Sequence, residues 1–298
     1  MRTFGYYPGC SLSGTGLELG ISTKAIAAKI GLDLIEVPDW SCCGASSAHG
    51  TNHNLALALP ARNAAIAEAD GLGLAIPCPA CYTRCKAAEL AVQNSEATKK
   101  KIEYILDRPY EAKYPSRVLL EIIMNEIPAA ELKAKVTKPL QGLRPVSYYG
   151  CLLTRPEELT GFDDTEDPKM MDDLVTLLGA EAVDWNGKVK CCGGSYPTAR
   201  PMVGLDMTKA ILDDAHVADA NCIVTACPLC MTNVDMRQKK LGAKYGVKYD
   251  LPVFYYTELI GLAIGLSPDE VGLQHHFVDP KPLLKKIAKG LQEGGAAE

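Results

Sequence analysis

An excess of positive charge is missing from this 298-residue chain, in which 31 Lys and Arg stand against 36 Asp and Glu for a net charge of -5. Nucleic-acid and polybasic membrane-surface proteins need a concentrated positive field, so both classes are disfavoured. Also missing is an apolar run long enough to cross a bilayer, which takes roughly 20 residues. The longest, VFYYTELIGLAIGL, carries Glu258 and reads as a buried helix. After Met1-Arg2-Thr3 the chain enters FGYYPGC with no apolar leader, which predicts a cytoplasmic protein. No glycine-rich dinucleotide fingerprint or P-loop is present, so electrons for any redox chemistry must come from another protein.

What the chain does have is cysteine: twelve, in a chain of 47% hydrophobic content, long enough for two domains. Disulfides are disfavoured in a reducing cytosol, which leaves metal binding or thiol chemistry as the expectation. An internal repeat organises ten of the twelve. Tyr6 to Cys10 (YYPGC) answers Tyr148 to Cys151 (YYGC), and Asp39-Trp40 answers Asp184-Trp185, which uses both tryptophans. Cys42-Cys43-Gly44 answers Cys191-Cys192-Gly193, and the CPAC of Cys78 to Cys81 answers the CPLC of Cys227 to Cys230, at an offset of 149 residues. From Cys10 to Cys151 the offset is 141; of the eight residues gained, four precede the DW pair and four follow it within NGKVK, which reads as a longer surface turn. Cys85 and Cys222 fall outside the pattern and are expected to be small buried thiols.

The pattern predicts an α/β fold, two pseudo-symmetric tandem domains with a small mostly parallel sheet flanked by helices. The first spans residues 1–140 and the second 141–298, with a C-terminal helical extension. TFGYYPGC, PVSYYGC, DLIEVPD, EAVDW, GLGLAI and NCIVTA read as strands, and helices follow, one of them ending at Gly31 and one kinked by Pro60. In parallel sheets functional groups gather at the carboxyl ends of the strands, and the ten cysteines are placed there. The proline of each CPxC suits a first helical position, whose free amides favour nearby thiolate charge.

Three chemistries compete. Structural zinc closes with four ligands and needs neither adjacent cysteines nor a fifth. A thioredoxin-type dithiol would use Cys-x-x-Cys alone. An iron-sulfur cubane takes four thiolates, whereas each copy offers five. Adjacent cysteines on an extended backbone point apart, and the glycine after them lets the chain turn close to an inorganic core. The surplus thiolate therefore suggests a cluster with more terminal or bridging positions than a cubane has.

The tandem C-x(n)-CCG-x(34)-CPxC pattern, the YYPGC start and the closing PVFYYTELIGLAIGL resemble the catalytic, CCG-domain subunit of the heterodisulfide reductase of methanogens, from Tyr6 to about Leu266. The resemblance implies two non-cubane [4Fe-4S] clusters. Cys10, Cys42, Cys43, Cys78 and Cys81 would hold the first, and Cys151, Cys191, Cys192, Cys227 and Cys230 the second. It further implies reduction of the coenzyme M-coenzyme B mixed disulfide; because a disulfide needs two electrons and each cluster moves one, the substrate is expected to lie between the halves, with the chemistry at the clusters and no side-chain nucleophile. Implied partners are a ferredoxin-like subunit, a flavin-bearing subunit and, behind them, a hydrogenase or formate dehydrogenase. An anionic substrate calls for basic residues: Lys188, Lys190 and Arg200 flank the second CCG, while Arg84 and Lys86 follow the first CPxC, each alternatively a solvated surface charge. His49 and His53 read as capping or packing residues, and His275 and His276 as surface residues. Similar domains occur in fumarate or succinate reductases and in glycolate and lactate oxidation systems, where a cluster relays electrons. That reading stays open, as does a metal-stabilised scaffold.

Overall fold

Short apolar runs become strands in the computed structural model, which describes residues 1–294. The first half runs β1 (Arg2–Tyr6), α1 (Leu17–Ala27), β2 (Leu32–Glu36), α2 (Ala45–Thr51), α3 (His53–Ala69), β3 (Leu74–Ile76), α4 (Pro79–Asn94), α5 (Glu96–Leu106), β4 (Ser116–Val118), α6 (Leu119–Glu126) and α7 (Ala129–Ala134). The second runs β5 (Pro145–Tyr148), α8 (Glu157–Thr160), α9 (Met170–Leu177), α10 (Tyr196–Ala199), α11 (Pro201–Val217), β6 (Cys222–Thr225), α12 (Pro228–Val234), α13 (Gln238–Tyr245), β7 (Val253–Tyr255), α14 (Tyr256–Ala263) and α15 (Lys281–Gly294). Two parallel sheets result, β2-β1-β3-β4 and β5-β6-β7. Gly31, at φ 91, ends the first helical segment as expected. The third helix runs through Pro60 without interruption.

The expected strand EAVDW is reduced to one bridge, Val146 to Val183. Trp185 turns inward to donate from Nε1 to the Ser147 carbonyl at 2.9 Å, which takes the chain out of the sheet. That bridge lies beside β5 as β2 lies beside β1, so both sheets share one order. Closing units match too: β4 runs into α6 as β7 runs into α14, and Glu121 and Glu258 each fall three residues after the strand end. VFYYTELIGLAIGL is thus a buried strand and helix, counterpart to a segment of the first half that carries no cysteine.

The two halves exchange helices. The α1 helix packs on α14, and α9 packs on α6, so each half covers the other's closing helix. Ser22 and Thr257 hydroxyls meet at 2.6 Å in the first of these contacts. Tyr6, Leu12 and Leu19 join the core of the second half, while Phe254, Tyr256 and Leu259 join that of the first. Burying each such side chain contributes about 1.5–3 kcal/mol, so the shared seam holds a large part of the stability. The α15 helix lays Leu283, Leu284 and Ile287 against the first core. Among the described residues no helix is long and apolar enough to cross a membrane.

Candidate functional site

Each strand that precedes a motif cysteine delivers it to the sheet's carboxyl edge. Pro79 and Pro228 take the first helical positions after Cys78 and Cys227, which leaves those two thiols at helix N-caps. Gly9 and Gly150 adopt φ 70 and φ 69, and a Cβ on them would lie 2.8 Å from Cys81 Sγ and Cys230 Sγ respectively. Only glycine lets the chain pass so close to a sulfur. Gly44 and Gly193, at φ 81 and φ 89, make the tight turn expected after each cysteine pair.

The ten cysteines fall into two sets of five with one partition. Cys43, Cys78 and Cys81 are buried, while Cys10 and Cys42 sit exposed at the rim. Cys192, Cys227 and Cys230 are likewise buried, with Cys191 exposed and Cys151 half-buried. The adjacent cysteines therefore point apart, one inward and one outward. Within the first set Cys43 Sγ and Cys81 Sγ share a hydrogen bond at 3.4 Å, and Cys42 Sγ and Cys10 Sγ lie 3.7 Å apart. Cys151 Sγ and Cys191 Sγ lie 3.9 Å apart in the second. A cavity of about 60 Å³ is lined by all five cysteines of the second set, with Tyr149, Leu152, Gly194 and Leu229. Pro79 and Ala80 of the first CPxC also line it, so the two sets adjoin across the seam.

Electrostatics sort the thiols. The Cys81 contact, against burial and with help from the Ala45 amide and Arg84, brings Cys43 down to about 6. The Cys230 contact and the Asn233 amide bring Cys192 down to about 7 against burial. Cys10 is pushed up to about 11 by burial and by Cys42. Cys85 and Cys222 are fully buried and burial pushes both upward, in keeping with inert packing thiols. Among the described residues no disulfide forms, and no group of three His, Cys, Asp or Glu is arranged to hold a single metal ion. Five soft thiols per set, gathered at strand ends with side-chain-free approaches, suit a polynuclear iron-sulfur core, which spreads its ligands wider than one ion does.

The repeat leaves several neighbours unmarked. Tyr7 and Tyr148 donate at 2.8 Å to the carbonyls of Ser41 and Lys190, each the residue just before a cysteine pair. Both pack edge-on against the tryptophan of their half. The 141-residue offset already pairs Tyr7 with Tyr148; superposing the tyrosine doublets instead slips the register by one. Asn63 clamps the Ser41 amide and carbonyl, and Asn233 Nδ2 reaches Cys192 Sγ at 3.3 Å and the Gly194 carbonyl at 2.9 Å.

Other expectations need correction. NGKVK forms the expected turn with Asn186 and Lys190 exposed, but its middle is buried: Lys188 is 3% exposed, and its carbonyl accepts from the Tyr149 and Gly150 amides at 2.9 and 3.1 Å. Its ammonium lies among Asp167, Asp172 and Asp184, so it is neither a solvated charge nor free to meet substrate. Lys190 pairs with Asp214, and Lys86 with Glu89 at 2.6 Å. Arg200 is exposed. Arg84 acts electrostatically on Cys43, and Arg237, which no motif marks, is influenced in the same way by Cys192. His49 and His53 are exposed, and among the described residues neither caps a helix; Asn52 caps α3 by accepting from the Asn54 and Leu55 amides at 2.8 and 3.1 Å. His275 is exposed, but the His276 ring is completely buried against Glu258 at 2.8 Å.

The family model for the cysteine-rich domain CCG matches residues 4–86 and again 146–235. The chain is 34% identical to the 8-methylmenaquinol:fumarate reductase membrane anchor subunit of Wolinella succinogenes, over 95% of this chain and 99% of that one. It is 30% identical to a subunit of the ferredoxin/F420H2-dependent CoB-CoM heterodisulfide reductase of Methanosarcina acetivorans, over 96% and 97%. A protein of Archaeoglobus profundus, named for its likeness to the same heterodisulfide reductase subunit, is 26% identical over 91% and 93%. Among solved structures, a hypothetical protein from Helicobacter pylori shares the fold, with TM-score 0.70 and 14% identity over 93% of this chain and 52% of that one.

Proposed function

Since the chain belongs to the CCG cysteine-rich domain family and carries the domain twice, we propose that it is the substrate-facing iron-sulfur subunit of a heterodisulfide reductase type of complex. In this reading it reduces the mixed disulfide of coenzyme M and coenzyme B to two thiols. Domains 1–140 and 141–298 each hold one non-cubane [4Fe-4S] cluster through the five cysteines of its set. Such clusters, when bound, supply electrons singly, whereas a disulfide takes two. One observation carries the reading: the cavity lined by the five cysteines of the second set is also lined by Pro79 and Ala80 of the first CPxC, which supports a substrate held at the seam between the two sets. Arg84 and Arg237, one in each half, offer charge to an anionic substrate. Electrons arrive from a ferredoxin-like subunit and, behind it, a flavin-bearing one.

A second reading, a subunit of a quinol-linked fumarate or succinate reductase, is favoured by the apolar rim of the second set. Leu152 and Leu229 are exposed beside their cysteines, as are Tyr196, Met202 and Val203 on the helices that follow. An apolar carrier matches that rim better than a multiply charged disulfide does. Anaerobically purified protein, assayed for iron, zinc and sulfide and followed by electron paramagnetic resonance with coenzyme M, separates the two. About eight irons per chain and a signal that appears only with the thiol support the first reading. Iron whose signal ignores the thiol but responds to a quinol analogue supports the second, and zinc in place of iron rejects both.

A further inference from the structure

Behind the seam lies a cluster of ionisable groups that belongs to neither cysteine set. Glu18 on α1, Asp235 at the end of α12, Glu258 on α14 and His276 converge there from both halves. Glu18 is 7% exposed and Asp235 2%, while Glu258 and His276 have fully buried side chains. His276 Nε2 meets Glu258 Oε1 at 2.8 Å, and Glu258 Oε2 accepts the Tyr255 amide at 2.8 Å. Asp235 accepts the Phe277 and Val278 amides at 2.8 and 3.1 Å. Three buried carboxyls face one imidazole, so charge balance requires the cluster to retain protons. Burial first, then the Glu258 and Asp235 charges, lift Glu18 to about 7 against its own amide and His276. Burial pulls His276 down, but Glu258, Asp235 and Glu18 outweigh it and raise the ring.

Two features give this store an inlet and an outlet. A cavity of about 240 Å³, lined by Glu18 and Asp235 together with Thr15, Thr232 and the exposed His275, joins it to solvent. On the other side stands Tyr255, completely buried, whose hydroxyl has no hydrogen-bond partner among the described residues. Burial first, then the Glu18 and Glu258 charges, followed by Cys227 and Cys78, push this hydroxyl well above the usual phenol range, so it keeps its proton unless another replaces it. Gly16 leaves it room: a Cβ there would stand 3.3 Å from Tyr255 Oη and 2.9 Å from Pro228 Cβ.

We propose that Glu18, Glu258 and His276 form a proton reservoir, filled through this cavity, from which the Tyr255 hydroxyl delivers protons to the seam between the two cysteine sets. The inference rests on the two-electron reading above. Cleaving one S–S bond consumes two electrons, supplied singly by iron-sulfur donors, and two protons, one for each sulfur. A product thiolate takes the Tyr255 hydroxyl proton as Glu18 replaces it in the same step, so no buried phenolate forms, and Glu18 is refilled from the cavity. After two rounds no residue of the chain is changed.

The test uses the anaerobically purified holoprotein, with reduced viologen as donor and the coenzyme M-coenzyme B disulfide as acceptor. Y255F, which removes one oxygen, is expected to lower turnover on the order of 10²-fold with iron content intact. Its one-electron oxidation by ferricenium, which needs no proton, should match wild type. E18Q should abolish the fall in rate above pH 7 and remove an infrared carbonyl band of a protonated buried acid. Wild-type turnover and pH profile in Y255F, or an acid band unaffected by E18Q, would overturn the proposal. If the wild type reduces no disulfide, the functional reading fails on its own. The relay is then decided by the infrared band and by whether the pH dependence of the midpoint potential flattens in E18Q.

Discussion

Replacing Lys188 with methionine tests whether a buried cation holds the second cysteine loop. Its ammonium lies 2.8 Å from both Asp167 and Asp172, 3.4 Å from Asp184 and 3.3 Å from the Pro168 carbonyl. The three carboxylates are unequal: Asp172 is 15% exposed, Asp167 61% and Asp184 85%. Removing one partner of a fully buried pair costs about 3–5 kcal/mol, but here only Asp172 is left without water, so K188M should lose about 2–3 kcal/mol. For a chain of this size that lowers the anaerobic melting temperature by about 3–5 °C. Salt should change the loss little, because a buried pair is weakly screened. D184N, at the exposed partner, should cost less than about 0.5 kcal/mol. Since the Lys188 carbonyl fixes the Tyr149 and Gly150 amides, iron at the second set should also become labile to chelator while the first set keeps its own. A K188M protein within about 0.5 kcal/mol of wild type, or a D184N loss of the same size as K188M, would refute the reasoning.

C43S and C192S should each leave one cluster, halving iron from about eight per chain and preserving the other half's paramagnetic signal; full iron in either removes the assignment. G9A and G150A drive a methyl toward Cys81 Sγ and Cys230 Sγ, so each should lose iron from one set, whereas G246A, at φ 69 with nothing within 4 Å, should keep it all. Equal iron in the three variants would show that close approach to sulfur is not what requires glycine. Glu18 is raised to about 7, above its unfolded value, so its contribution to stability is complete below about pH 4.3 and disappears as pH climbs toward 7. Denaturant titrations should find E18Q gaining on wild type between pH 5 and 8, and the opposite trend would contradict the raised affinity. N233A removes an amide hydrogen bond to Cys192 Sγ and should shift only the second cluster to a more negative potential in a redox titration; an equal shift in both halves would show a general effect.

The cysteine sets were legible because their spacing is written along the chain: an offset of 149, shortened to 141 at the first cysteine, put five thiols in each half, and parallel strands placed them at one edge. Legibility failed wherever position depends on distant sequence. Lys188 looked like a loop charge because its carboxylates come from residues 167, 172 and 184, scattered through a stretch without periodicity. The His276 ring looked exposed because Glu258 lies 18 residues away on a helix whose own partner belongs to the other half. EAVDW had the composition of a strand, but the inward turn of Trp185 outweighed it. The unit of β7 and α14 escaped the repeat because no cysteine marks it, only a glutamate three residues past each strand.

The helix exchange, α1 on α14 and α9 on α6, is the arrangement of a two-fold symmetric dimer, in which one patch contacts its own image. Covalent linkage in a single chain frees such a pair from sameness: a substitution on one face no longer has to be tolerated twice. The departures between copies follow that freedom. Asp235 occupies the place of Lys86, and Asn233 that of Arg84, so a cation beside one set is an amide beside the other and an ion pair becomes part of a buried acid cluster. In the proposed function, that freedom lets the two sites differ in potential and draw protons from one side, a direction that identical subunits could not encode.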